Sequence, residues 1–268
     1  MAVVATPLVG HAQHVSENVP HSTPLGSGPY KAILEADPRL PGFTVYRPKD
    51  LSALGEQKLP IVAWAEGGCA NNGSRFRWFL SEIASHGYLV VAIGPVGPEK
   101  DEIWNPPPQH AGPATMPRMP DLSKLPPPAT HSSQLIDAIN WAVAENTRSG
   151  GRYLNRIAGD KVAVMGMSCG GGQAIEAGQD PRVVTTVMWN SGLFPDGTAF
   201  NAMFGGRLLT KADLKLLHGA VAYISGDESD IAFNNANDDF SRLPDIPALR
   251  AWMQTHSPSV SSASSVSR

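Results

Sequence analysis

The chain is poor in charge. Asp, Glu, Lys and Arg make up 17% of its 268 residues, against a usual share of about 25%. The formal net charge is only −3, which leaves no electrostatic footprint for nucleic acid or an anionic membrane. No apolar run approaches the ~20 residues that span a bilayer, so a membrane-embedded role is not expected. Internal repeats are absent, which excludes stacked-repeat architectures. Cysteine occurs only twice, as Cys69 and Cys169. Glycine (26) and proline (24) are plentiful and imply many loops around a compact body. The length suits one α/β domain with a substantial core.

The most informative stretch runs from Val162 to Ala177. Val162-Ala163-Val164-Met165 reads as a strand, Gly166-Met167-Ser168-Cys169-Gly170 as a sharp turn, and Gln173-Ala174-Ile175-Glu176-Ala177 as a helix. A G-x-S-x-G between strand and helix is the nucleophile-elbow pattern, which projects a serine hydroxyl over the end of a sheet. Glycines two residues to either side let strand and helix approach without a Cβ clash. An incidental serine in a glycine-rich turn is the plainer alternative, and the surrounding chain has to decide between them.

Met1 to Gln13 is apolar and small-residue-rich and ends in Gly-His-Ala-Gln. It has the character of the back half of a signal sequence, or of an ordinary unstructured N-terminus. His11, His14 and His21 fit no well-known metal spacing and read as solvated tail residues. Phe43 to Pro48 is a short strand ended by proline, and Leu51 to Lys58 a surface link. Leu59 to Ala65 is a continuous apolar run suited to a strand buried on both faces of a parallel sheet. Phe76, Phe79, Leu80, Ile83 and Ala84 recur at helical spacing up to His86-Gly87, and Tyr88 to Gly94 is a second buried strand. Strand, helix, strand in that order predicts a parallel βαβ unit.

Pro95 to Pro128 is proline-rich and long for a loop, which marks a functional insertion or a mobile segment. Trp104 and Met116 within it are substrate-facing residues or loop anchors. Ser132 to Glu145 has helical rhythm, and Ile157 to Lys161 reads as a turn into the serine-bearing strand. Val183 to Trp189, Ala220 to Ser225 and Ile246 to Trp252 read as further strands, with an irregular stretch from Asn190 to about Gly219. Residues 257–268 are serine-rich and of low complexity.

An activated serine needs a base, a group that orients the base, and donors aimed at an oxyanion. After such an elbow, the acid and then the base follow in chain order on loops beyond later strands. Asp230 is the expected acid, with Asp227 the runner-up; Glu228 shares the loop. His256 is the only histidine beyond that loop and is the expected base. His86, His131 and His218 fall at the wrong edge of the sheet or in the proline-rich region. The expected oxyanion donors are the amides of Cys169, Gly68 and Cys69, the latter two on the Gly67-Gly68-Cys69-Ala70 loop. If these loops converge on one oxygen, Cys69 and Cys169 come within the ~4.4–6.8 Å Cα separation of a disulfide; two buried thiols are the alternative.

Trp64-Ala65-Glu66-Gly67-Gly68-Cys69, Ala84 to Val90, Gly166 to Gly171 and Asp230-Ile231-Ala232 resemble the α/β-hydrolase superfamily. The nearest branch is the single-domain group related to dienelactone hydrolases, chlorophyllases and cutinase-like polyester hydrolases. The resemblance spans about Pro60 to Trp252. It implies a mostly parallel sheet with helices on both faces, and a serine esterase with no metal or organic cofactor. Ser168 would be its nucleophile and Asp230 its acid, acting on a small-molecule or polymeric ester.

One departure stands out. That branch carries a glycine-flanked histidine after its last strand and then a further helix, whereas His256 has no adjacent glycine and leads into serines. A truncated or altered C-terminal part, leaving apolar sheet surface uncovered, is therefore expected. The expected organisation is a disordered N-terminus or signal-peptide remnant over 1–28, a hydrolase domain over 29–256 with its insertion at about 95–128, and a disordered tail over 257–268. A bridge between the cysteines would accord with a secreted or periplasmic location; a cytoplasmic one is the alternative. The alternatives to ester hydrolysis are a hydrolase fold that only binds ligand, and peptidase or acyltransferase chemistry on the same site.

Overall fold

A computed structural model describes residues 26–97, 127–253 and 263–267. The strands are β1 (Ala32–Glu35), β2 (Phe43–Pro48), β3 (Leu59–Ala65), β4 (Leu89–Ile93), β5 (Ile157–Met167), β6 (Val183–Trp189), β7 (Ala220–Gly226), β8 (Ala248–Met253) and β9 (Ala263–Ser267). The helices are α1 (Arg77–Ser85), α2 (Ser133–Thr147), α3 (Cys169–Ala177) and α4 (Phe233–Arg242). One sheet takes all nine strands in the order β1-β2-β4-β3-β5-β6-β7-β8-β9. The block from β4 to β8 is parallel. β1 and β2 pair antiparallel at one edge and β9 at the other. The expected α/β class, with a mostly parallel sheet, is the observed one.

Alternation along the strands sorts side chains to the two faces. Val62 and Trp64 of β3 and Val90 and Ala92 of β4 pack under Leu80 and Ala84 of α1. Ile61, Ala63, Leu89 and Val91 point the other way, onto Leu135 and Ile139 of α2 and Ala174 of α3. On that second face Met188 and Tyr223 meet Ile175 of α3 and Ala236 and Phe240 of α4. Each such buried aliphatic or aromatic side chain contributes about 1.5–3 kcal/mol. Beyond the reach of α1, Leu249 and Met253 of β8 remain exposed. No helix among the described residues is long and apolar enough to cross a membrane.

Several expectations need correction. Ile157 to Lys161 is the start of β5 and not a turn. Pro60 pairs with Ala158 and the next residue, Ile61, with Val162, so Gly159-Asp160-Lys161 bulges out of the ladder. The exposed Asp160 and Lys161 give that bulge the composition of a turn. The disordered tail over 257–268 is contradicted at 263–267, where β9 pairs with β8. Ladder bonds come from the backbone, so a serine-rich segment can close a sheet edge without a hydrophobic pattern. The disorder expected over 1–28 does not hold at Ser27 and Gly28. Ser27 donates from its amide and hydroxyl to Glu82, at 2.7 and 2.6 Å, and the Gly28 amide donates to Ser85 Oγ. β8 begins at Ala248, after Pro247, and two elements, β1 and α4, carry no sequence pattern that announces them. The remaining N-terminal residues, including His11, His14 and His21, lie outside the described residues, as do Trp104 and Met116.

Two ion-paired carboxylates, Glu145 and Asp180, lead to an expected acid sensitivity of the fold. Hydrogen bonds from Arg148 hold Glu145 below the usual carboxylate range, with Arg39 adding to the effect against burial. The Arg182 guanidinium does the same for Asp180. Groups whose folded-state pKa is depressed stabilise the fold above their unfolded pKa and lose that contribution as pH falls through the folded one. The urea midpoint should therefore hold between pH 7 and about 5 and decline below about 4, as fluorescence titrations at stepped pH can check.

Candidate active site

Ser168 sits between the end of β5 and the start of α3 with φ 50° and ψ −115°, a backbone conformation that costs a non-glycine residue about 1–3 kcal/mol. The surroundings hold it there. Its amide donates to the Trp189 carbonyl at 2.9 Å, and its carbonyl accepts from the Gly171 amide at 2.9 Å and from Ser191 Oγ at 2.7 Å. The flanking glycines are sterically required. A Cβ on Gly166 would lie 2.1 Å from the Gly170 carbonyl oxygen, and one on Gly170 2.1 Å from that of Ala65. Strand, turn and helix are thus locked at a separation that no side chain permits.

The loop after β3 approaches the same place. Glu66 is fully buried and accepts from Trp64 Nε1 at 2.8 Å. A tight turn over Gly67–Cys69 follows, with Gly68 at φ 65° and Cys69 at φ 48°. A disulfide joins Cys69 to Cys169, with Cα atoms 5.2 Å apart. It pins this turn to the first residue of α3. The amides of a helix's first turn have no intrahelical acceptor, and the helix dipole makes that end partly positive. Gly68, Cys69, Ser168 and Cys169 all border one cavity. Gln173 Nε2, on the next turn of α3, donates to Cys69 Sγ at 3.1 Å and to the Thr130 carbonyl at 2.9 Å, backing the bridge from behind.

Asp230 lies in the loop that leaves β7. Its Oδ2 accepts from the Gly226 amide at 2.8 Å and Asn190 Nδ2 at 2.6 Å, and its Oδ1 from the Ala232 amide at 2.9 Å. A carboxylate has about four acceptor sites, so these bonds orient it and leave room for another donor. Asp227 instead accepts from the amide and hydroxyl of Ser229, a local turn, and Glu228 is exposed. Next along the loop, Ile231 is 55% exposed, while Ala232 is buried. Beneath the loop, Arg250 on β8 donates to Ser225 Oγ at 2.8 Å and packs against the rings of Phe233 and Trp252. Burial lowers its pKa, and the Asp230 charge pushes it back up.

His86 pairs with Glu82 at 3.0 Å at the end of α1. His131 meets the Gly205 carbonyl through Nδ1, and His218 is exposed ahead of β7. None of these borders the cavity. His256 lies outside the described residues.

The cavity has a volume of about 490 Å³. Phe194, Phe200, Met203, Phe204 and Ile231 are the large apolar side chains on its lining. Sequence reasoning missed both this wall and Asn190, because Asn190 to Gly219 reads as irregular chain. Four large apolar residues between Phe194 and Phe204, in a stretch too short for a helix pattern, were the available signal. Among the described residues no group of three or more His, Cys, Asp or Glu is gathered as a metal site. No protein-family model matches this sequence, and no curated protein does.

Proposed function

We propose that this protein is a serine hydrolase of the α/β-hydrolase type that cleaves carboxylic esters through an acyl-enzyme on Ser168. The observation that carries the proposal is the strained Ser168 backbone on the lining of an apolar cavity, with Cys169 and the Gly68–Cys69 turn on the same lining. Ser168 Oγ attacks the ester carbonyl and passes its proton to the base. The amides of Cys169 and of Gly68 or Cys69 receive the oxyanion, each such donor contributing about 10²–10³ in rate. The base returns the proton to the departing alcohol, and water then releases the acid by the same steps.

Asp230 is assigned as the acid because it is the carboxylate of its loop held by donors from three sides. His256 is assigned as the base on the position of its anchors. The chain leaves the sheet at Met253 and rejoins it at Ala263, the pairing partner of Met253. Met167, Trp189, Ile224 and Ala251 lie in one row across the sheet, so Met253 stands at the edge from which Ser168 projects. Three strand spacings, about 14 Å, separate β5 from β8. The bridge beside the serine accords with an oxidising compartment, hence secreted or periplasmic.

Hydrolysis of 4-nitrophenyl butyrate tests the assignment. His256→Ala and Asp230→Asn should each lower kcat by about 10³-fold or more. An unchanged rate in either variant removes that residue from the mechanism. The alternative is a ligand-binding protein without turnover. It predicts no hydrolysis by the unmodified chain.

A further inference from the structure

One wall of the cavity that Ser168 borders is fixed by buried polar groups. Leu193 and Phe194 follow β6 and have no regular ladder to satisfy their backbones. Side chains do it instead. The Leu193 amide donates to Asp239 Oδ2 at 2.7 Å, and its carbonyl accepts from Lys211 Nζ at 2.6 Å. Lys211 and Asp239 form an ion pair with the aspartate fully buried, and Tyr223 donates to the same carboxylate. The Phe194 amide donates to Asn201 Oδ1, and its carbonyl accepts from Asn201 Nδ2, both at 2.9 Å. Asn201 is fully buried.

This arrangement holds Phe194 against Phe200, ring centroids 4.5 Å apart and nearly parallel. Both rings remain half-buried and border the cavity, together with Met203 and Phe204. A buried ion pair stabilises a fold little more than an apolar replacement would. Its use here is to pre-order a surface that faces empty space, which lowers the cost of binding. No charged side chain is among the described residues that line the cavity, so these residues offer a charged ligand group no ion-pair partner in return for the water it loses.

We propose that the 193–204 wall is a preformed site for an uncharged hydrocarbon acyl group, aromatic or of medium chain length, and that it rejects acyl groups ending in a carboxylate. The inference rests on the serine-hydrolase reading. In an acyl-enzyme the acyl group stays bound to Ser168 after the alcohol has left, so the walled space that Ser168 borders is assigned to that group.

Matched esters of equal chain length test it: 4-nitrophenyl hexanoate and the mono-4-nitrophenyl ester of adipic acid. Two readouts are used, kcat/KM with the unaltered chain and calorimetric affinity with Ser168→Ala, which does not depend on turnover. The hexanoate should be preferred at least tenfold in both, and Phe194→Ala should lose at least tenfold in affinity for it. Comparable values for the two esters, or unaltered hexanoate binding by a folded Phe194→Ala protein, overturn the proposal. If neither ester is turned over yet the affinity preference holds, the apolar site stands and the hydrolase reading fails. If both esters are turned over without preference, the hydrolase reading stands and the apolar acyl site fails.

Discussion

Ser168→Ala is expected to lower ester turnover by at least a thousandfold and to leave the fold intact. The serine side chain is absent from the hydrogen bonds that fix its own turn, which run through its amide and carbonyl to Trp189, Gly171 and Ser191. Alanine at φ 50° bears the same backbone strain as serine, so the melting temperature should move by no more than a few degrees. The rate should nonetheless collapse, because the acyl-enzyme route needs the oxygen that is removed. Residual catalysis of about 10³–10⁴ over water can persist from binding and the oxyanion donors alone. A variant that keeps more than a tenth of the turnover would assign the chemistry to another group.

The second large effect concerns the bridge. Cys69 and Cys169 are 100 residues apart in sequence. Closing a loop of that length in the unfolded chain is worth on the order of 4–5 kcal/mol in the chain-entropy account, against a typical total stability of about 5–15 kcal/mol. The Cys69→Ser, Cys169→Ser protein should therefore melt on the order of 10 °C lower, by differential scanning calorimetry. Its turnover should fall as well, since the bridge fixes the 67–69 turn to the first residue of α3. Thiol titration of the denatured, unreduced chain should find no free thiol, and two free thiols would contradict the bridge.

Much of this arrangement is legible in the sequence. Leu59 to Ala65 and Leu89 to Ile93 are apolar without interruption, as central parallel strands must be, and the serine turn announces itself through glycines that tolerate no Cβ. The loop carrying Asp230 and the approach of the two cysteines follow from the same layout. What escapes is structure held by polar groups. α4 buries only Ala236, Asp239 and Phe240, one of them charged, so it shows no apolar stripe. The 193–204 wall depends on Lys211 and Asp239, which bond the Leu193 backbone from 18 and 46 residues away, and on Asn201 within the stretch itself. Asn190 enters the site through one contact to Asp230. β9 pairs through a backbone ladder, and no composition rule marks it.

The most direct measurement is covalent labelling by a fluorophosphonate, read by intact mass and peptide mapping of the folded chain. A nucleophilic Ser168 predicts one adduct per chain, on the peptide carrying Gly166-Met167-Ser168-Cys169-Gly170, and none after denaturation or in Ser168→Ala. No adduct on the folded chain, or an adduct on another residue, would contradict the assignment of Ser168 as the nucleophile.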